Sequence, residues 1–454
     1  VQKHHSGDDC WMAIHGRVYD ITAFLPSHPG GRAVLLQQAG KDASAAFDAV
    51  HPVDLIDGSL KPGQCLGLLA PSTEEISESE ADAEPALDQV LSILEMEQHA
   101  LRKLSPKAVS YYASATDDEI TKIQNSSIFQ SILLRPRVFV DCTRCSLETT
   151  ILGQQVGLPI YVSPAAMAKL AHPAGEAGIA GACSEFKALQ IISHNASMSV
   201  PAIVDAGKDT VFAWQLYVLK DIQATEKRLA QMRAIPQVKF IVLTLDAPFP
   251  GKREADERFK MAEAAGGAPP QAWGTESSLT WQKTLAWLAL HTSLPVVLKG
   301  IQTYEDAYAA TFFPSVKGII LSNHGGRALD TTTTPIQTLL EIRRFCPQVL
   351  DKIDVLIDGG IRRGTDVVKA LALGAKGVGL GRAALYGLAV GGRQGVERCL
   401  QILADETATA MRLLGVECVD QLGQRHINVN ALQAQLYSGP PGLDQVDADL
   451  KPKL

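Results

Sequence analysis

Nothing in these 454 residues approaches the ~18–20 consecutive apolar side chains that a membrane-spanning helix needs, so no such segment is expected. No basic stretch occurs either. With 42 Lys plus Arg against 49 Asp plus Glu, the net charge of −7 argues against nucleic acid as the main partner. Cysteine is thin: eight thiols are scattered from Cys10 to Cys418 with no paired spacing, which excludes a disulfide framework. The one close pair, Cys142 and Cys145 in RVFVDCTRCS, has no second pair or histidine beside it. These two read as buried free thiols on opposite faces of a strand, not as a metal site.

Lysine and arginine are missing altogether between Lys61 and Arg102, where nine Asp or Glu fall. The middle of that stretch, APSTEEISESEADAEPA (70–86), cannot bury enough apolar surface to fold and reads as a solvated linker. The chain as a whole is ordinary for a globular protein, 46% apolar and 20% charged, and long enough for two or three domains. The expected division is a small domain over 1–70, an acidic linker and connecting helix over 71–104, a large domain over 105–430, and a C-terminal tail over 431–454.

The large domain carries eight short β-branched runs: IYVSP (160–164), LQIIS (189–193), VFAWQLY (211–217), FIVLTLD (240–246), PVVLKG (295–300), GIILSN (318–323), DVLIDGG (354–360) and GVGLGR (377–382). Most gaps between them hold apolar residues at helical spacing, as in RRGTDVVKALALGA (362–375). Eight strands alternating with helices predict a parallel (β/α)8 barrel of the TIM type. The residues at or just past the strand ends are Ser163, Ser193, Gln215 with Tyr217, Thr244 with Asp246, Lys299, Asn323 with His324, Asp358 and Arg382. A lining of Lys, His, Arg, Asp and Tyr at nearly every strand predicts an active site at that face. The long segment between the fourth and fifth strands, 248–293, contains GGAPPQAWG and reads as a lid or interface loop.

In the small domain, HisProGlyGly at 28–31 sets a tight turn, and a second histidine, His51, follows 23 residues later. Two imidazoles from opposed walls would hold one iron from both sides. The segments DDCWMAIHGRVYDITAFLPSHPGG (8–31) and GKDASAAFDAVHP (40–52) resemble cytochrome b5, an α+β haem domain. That resemblance implies haem b ligated by His28 and His51, a six-coordinate iron suited to electron transfer.

Residues from about 105 to 430 resemble the FMN-dependent 2-hydroxy acid oxidases and dehydrogenases. The matching stretches are YYAS (111–114), YVSPAAMAKLAHPAGE (161–176), QLYV (215–218), TLDAP (244–248), LKG (298–300), LSNHGGR (321–327), DGGIRRGTDV (358–367) and GAKGVGLGR (374–382). Oxidation of a CH–OH unit needs a base, and His324 is the side chain suited to it. The resemblance implies that Asp246 stabilises its imidazolium. Arg327 offers a forked donor for the substrate carboxylate, with Tyr111 as second contact and Tyr217 near the substrate oxygen. It implies Lys299 beside the flavin edge where negative charge develops. Ser193, Gln215 and Thr244 would contact the flavin ring, and the backbone of Ser163, Pro164, Ala165 and Ala166 would pack along it. The ribityl and phosphate contacts would come from Asp358, Gly359, Gly360, Ile361, Arg362, Gly381 and Arg382.

With a haem domain in front, the arrangement resembles the haem- and FMN-containing L-2-hydroxy acid dehydrogenases. Lactate is then the default substrate, and electrons pass from FMN to haem b and on to an acceptor such as cytochrome c. The resemblance further implies a homo-oligomer, a tetramer, in the mitochondrial intermembrane space. No targeting segment is present in the sequence given, so the cytoplasm stays open. Departures bear on the substrate: Ala165 stands where the family usually has Thr, Ser114–Ala115–Thr116 where it has SGA, and Asn195 at a pocket position usually apolar. An amide there, beside His194, would favour a larger or more polar acid; the alternative is that both side chains turn outward. Direct reoxidation of the flavin by oxygen, or a barrel that only scaffolds electron transfer, are the other readings.

Overall fold

The computed structural model describes residues 1–28, 32–48, 56, 60, 63–69, 86–263, 274–439 and 442–450. The chain divides into two compact units, Val1–Ala83 and Glu84–Leu454.

The first unit is built on a four-stranded sheet in the order His5–Ser6, Asp9–Ile14, Arg17–Asp20, Cys65–Leu68, each neighbour antiparallel. In Asp9–Ile14 the alternate residues Cys10, Met12 and Ile14 turn into a core with Tyr19, Ile21 and Leu25. Asp20 accepts from the Thr22 amide at 3.0 Å and its hydroxyl at 2.6 Å, which starts the short 3-10 helix Thr22–Ser27. That helix ends on His28 in extended backbone, φ −66° and ψ 122°.

The second unit is a closed barrel of eight parallel strands: β1 (Ile160–Val162), β2 (Leu189–Ile192), β3 (Val211–Leu216), β4 (Val238–Thr244), β5 (Val296–Ile301), β6 (Val316–Leu321), β7 (Asp354–Asp358) and β8 (Gly377–Leu380). All eight expected strands are present, and β8 pairs with β1 to close the ring. Period-2 alternation divides the apolar side chains between two cores. Tyr161, Leu189, Ile191, Phe240, Val242, Val297 and Ile320 fill the barrel, while Ile160, Trp214, Ile241, Leu298 and Ile319 face the surrounding helices. A hairpin, Thr149–Ile151 with Gln154–Val156, adds Ile151 and Val156 to the inner core.

Local signals set several helices. Ser92 accepts from the Glu95 amide at 3.1 Å and its hydroxyl donates to the Glu95 carboxylate at 3.0 Å, opening Ile93–Lys103. The predicted 362–375 helix is trimmed to Gly364–Ala372, ended by Gly374 at φ +105°. Two expectations need correction. The segment 248–293 is not one loop: it holds the helices Glu254–Glu263 and Trp281–His291. Cys142 is exposed and Cys145 half-buried, and neither lies on a strand. Asp141 accepts from Thr143 at 2.9 and 2.7 Å there, a side-chain turn that competes with strand pairing.

Candidate active site

Because every strand is parallel, the C-terminal ends of all eight open on one face, and the strand-end residues come together there. Most form one connected polar lining. Ser193 donates to Gln215 at 3.2 Å and Gln215 Nε2 donates to Thr244 at 3.0 Å. Ser163 donates to Asp358 at 3.1 Å, and Lys299 Nζ donates to Ser322 at 2.9 Å. These side chains are buried and tie each other into fixed rotamers. They surround a cavity of about 660 Å³. Of the site residues expected from the sequence, all those in the barrel domain border it except Thr244 and Asp246. Thr244 stands behind Gln215, and Asp246 behind His324.

His324 follows β6 in the left-handed region, φ +58°, and is succeeded by Gly325 and Gly326 at +65° and +75°. This conformation, uncommon for a residue with a Cβ, turns the imidazole back across the barrel mouth. Nδ1 lies 2.8 Å from Asp246 Oδ1, and Nε2 lies 3.5 Å from the Tyr217 hydroxyl. A carboxylate on Nδ1 places the proton there and leaves the Nε2 lone pair facing the cavity. Asp246 reaches this position because Gly300 has no side chain: a Cβ there would lie 2.5 Å from the Asp246 Cβ. Burial works to raise the Asp246 carboxyl, but Lys299 at 3.5 Å and then His324 outweigh it and hold it at about 2. Burial opposes the Lys299 charge in turn, yet Asp246 and Asp358 raise it above the ordinary lysine value. Burial, followed by Asp246, pushes the Tyr217 phenol up to about 12.

Beside this dyad sit two guanidinium groups. Arg327 and Arg253 flank the Tyr111 ring at 5.1 and 5.2 Å from its centroid. Arg327 is less open than its expected fork: Nη1 donates to the carbonyls of Tyr111 at 2.7 Å and Ser114 at 3.2 Å. Burial, then the neighbouring Arg253 and Arg382, disfavour its charged form, which an anion in the cavity would offset. Arg253, paired with Asp256 at 2.9 Å, has a buried Nη1 with no hydrogen-bond partner. Sequence reading missed Arg253. Its signal was a basic pair, Lys252–Arg253, just beyond the β4 end, in a stretch taken for a loop.

The opposite side of the cavity is bounded by the β7 and β8 ends. Gly360 at φ +79° packs so closely that a Cβ would collide with the backbone of Asn125 and Ser126. Arg382 donates to the carbonyls of Tyr112 and Ser114 at 2.9 and 3.2 Å. Arg362 meets Glu97 at 3.1 Å, a second residue that sequence reading missed, carried in by the helix Ile93–Lys103. The Tyr386 hydroxyl is buried there without a hydrogen-bond partner. Asn195 borders the cavity and is exposed.

In the first unit, His28 lies edge-on to Phe24, ring centroids 5.8 Å apart. His51 and residues 70–85 of the acidic linker lie outside the described residues.

Comparison with known proteins adds to this geometry. Residues 100–429 match the FMN-dependent dehydrogenase family, and residues 1–70 the cytochrome b5-like haem/steroid-binding domain. An L-lactate dehydrogenase (cytochrome) of Wickerhamomyces anomalus is 38% identical over 93% of this chain and 78% of its own length. Spinach (Spinacia oleracea) glycolate oxidase is 38% identical over 75% of this chain and 96% of its own. A solved structure of a flavocytochrome b2 double mutant with pyruvate bound superposes with a TM-score of 0.73, at 37% identity, covering 82% of this chain and 94% of that one.

Proposed function

The chain belongs to the FMN-dependent dehydrogenases, joined to a cytochrome b5-like domain, and from this membership we propose that it oxidises an L-2-hydroxy acid, lactate by default, to the 2-oxo acid. The observation that carries the reading is His324, whose Nε2 faces the cavity while Asp246 backs its Nδ1 at 2.8 Å.

The residues present suit FMN and a small acid together. The cavity has the size of a cofactor site. Its wall offers two buried donors without partners, Arg253 Nη1 and the Tyr386 hydroxyl, both apt for anionic oxygens. When bound, FMN supplies the electron-pair acceptor, and haem b a one-electron relay outward. Arg362, Arg382 and the backbone of Asp358–Ile361 would hold the flavin phosphate and ribityl chain, while Ser163–Ala166, Ser193, Gln215 and Lys299 would line the ring.

The chain's own part in the chemistry follows from these positions. Arg327, Arg253 and Tyr111 grip the substrate carboxylate, and the pair of guanidinium groups selects an anion. Tyr217 contacts the substrate oxygen. His324 Nε2 accepts the proton released by the CH–OH unit, and Asp246, already ionised, stabilises the imidazolium that results. Lys299, its charge sustained by Asp246 and Asp358, would supply a fixed positive charge beside the flavin ring. His28 and His51 would ligate the haem iron.

The glycolate oxidase match favours a second reading, an oxygen-using flavin oxidase, but it spans 75% of this chain where the lactate dehydrogenase spans 93%. We extend the proposal to cytochrome c as acceptor, a homo-tetramer as assembly and the intermembrane space as location. Among the described residues no helix is long and apolar enough to cross a membrane. Anaerobic mixing with a panel of L-2-hydroxy acids tests the function. Flavin bleaching followed by haem reduction is expected with lactate; bleaching by none of the panel would refute it.

A further inference from the structure

A second cavity, of about 730 Å³, shares no lining residue with the first. The helices Pro335–Phe345 and Gly364–Ala372 follow β6 and β7 and run back along the barrel. Their last turns, with Arg343, Arg344 and the cap Leu373, therefore sit at the barrel end opposite the candidate active site. A third wall comes from the antiparallel pair Leu133–Leu134 with Ile427–Asn428, which brings Arg135 to the rim.

Three guanidinium groups thus border one space, and among the described residues no Asp or Glu borders it. None of the three makes an ion pair among the described residues. Their partners are neutral. Arg343 Nη1 donates to the Leu373 carbonyl at 2.9 Å, and with the Gln424 amide oriented oxygen-first its Nη2 and Nε donate to that oxygen at 2.9 and 2.5 Å, so Arg343 lends the space its charge while Arg135 and Arg344 keep the more open forks. Arg135 donates to the Arg425 carbonyl at 3.4 Å, and Arg344 stacks on the Phe345 ring at 5.2 Å. A helix C-terminus does favour cations, but it offers only roughly half an elementary charge. Two full charges from one terminal turn exceed that, and Arg135 belongs to another element. Leu340, Leu373 and Leu436 supply a buried apolar floor below the charges.

We propose that this cavity binds a small organic phosphate carrying at least two negative charges, a nucleoside diphosphate being of the right chemistry. Guanidinium forks match phosphate oxygens, the missing carboxylates remove competition for them, and the apolar floor receives the organic body.

The test uses the full chain loaded with FMN, so that the flavin phosphate site is filled. Calorimetry at low ionic strength would titrate pyrophosphate, ADP and citrate. Pyrophosphate and ADP should each saturate, compete with one another, and leave the flavin absorbance unchanged, while citrate binds more weakly. Arg135→Gln with Arg344→Gln changes two exposed side chains and should leave the melting temperature alone. It should weaken both phosphates by about tenfold or more. Absence of saturation below about 10 mM would overturn the proposal. So would equal affinity in the double variant, or citrate binding as tightly as pyrophosphate. If sedimentation shows that the double variant dissociates an assembly, this face is an interface between copies and the proposal fails.

Discussion

Replacing Asp246 by Asn removes one charge and almost no volume, which makes it the sharpest test of how the dyad works. The side chain is wholly enclosed, its Oδ1 lies 2.8 Å from His324 Nδ1, and its Oδ2 lies 3.5 Å from Lys299 Nζ. An amide oxygen still accepts from Nδ1, so the ring keeps its orientation and its Nε2 lone pair. What disappears is the countercharge for the imidazolium formed when His324 takes a proton. Two unit charges about 4 Å apart interact by on the order of 4 kcal/mol at an effective dielectric constant of about 20. Lys299 already draws on the same carboxylate, so about 2–4 kcal/mol is the expected loss, or roughly 30- to 900-fold in rate. Because the carboxyl is held at about 2, it is ionised throughout the working range and the wild type should not recover the variant's behaviour until strongly acidic pH. The assay is anaerobic stopped-flow bleaching of the flavin by L-lactate, with FMN content measured on the same sample. A variant that binds FMN and bleaches within about threefold of wild type would refute the charge argument.

His324→Gln should keep FMN but lose about 10²–10⁴-fold of substrate-driven flavin reduction, and a near-normal stopped-flow rate would place the base elsewhere. His28→Ala or His51→Ala should abolish the low-spin haem spectrum yet spare flavin reduction by substrate; a normal six-coordinate spectrum in either variant would sink the ligand assignment. Asn195, exposed at the cavity, should set side-chain preference, so Asn195→Leu should raise kcat/KM for lactate relative to polar or larger hydroxy acids. If bound lactate buries that amide against its methyl, the unpaired polar group costs roughly 1–3 kcal/mol, and an unchanged ratio between substrates would show that the amide does not face them.

The eight barrel strands were legible as β-branched runs because strand patterning is local, and their C-terminal residues followed from the rule that parallel strands end together. That rule put His324 and Asp246, 78 residues apart, at one face, and the family resemblance implied that they pair. Motif resemblance added the cofactors and the division of labour. Other features depend on contacts that no local pattern encodes. Arg253 arrives from a stretch read as a loop, and its unpartnered Nη1 exists only because the barrel mouth buries it. Glu97 meets Arg362 across 265 residues because the helix Ile93–Lys103 happens to pack there. Thr244 moves behind Gln215, and one nitrogen of the Arg327 fork turns to backbone carbonyls. Cys142, expected to be buried, is exposed in a side-chain turn. The amino-acid sequence by itself determined which residues form strands and which side chains stand at their ends, since backbone periodicity and apolar alternation act over a few residues. Only the tertiary structure decided which of those side chains face the cavity, which stand behind another, and which charges are left without a partner, because burial and hydrogen bonding are settled by groups far apart in the chain.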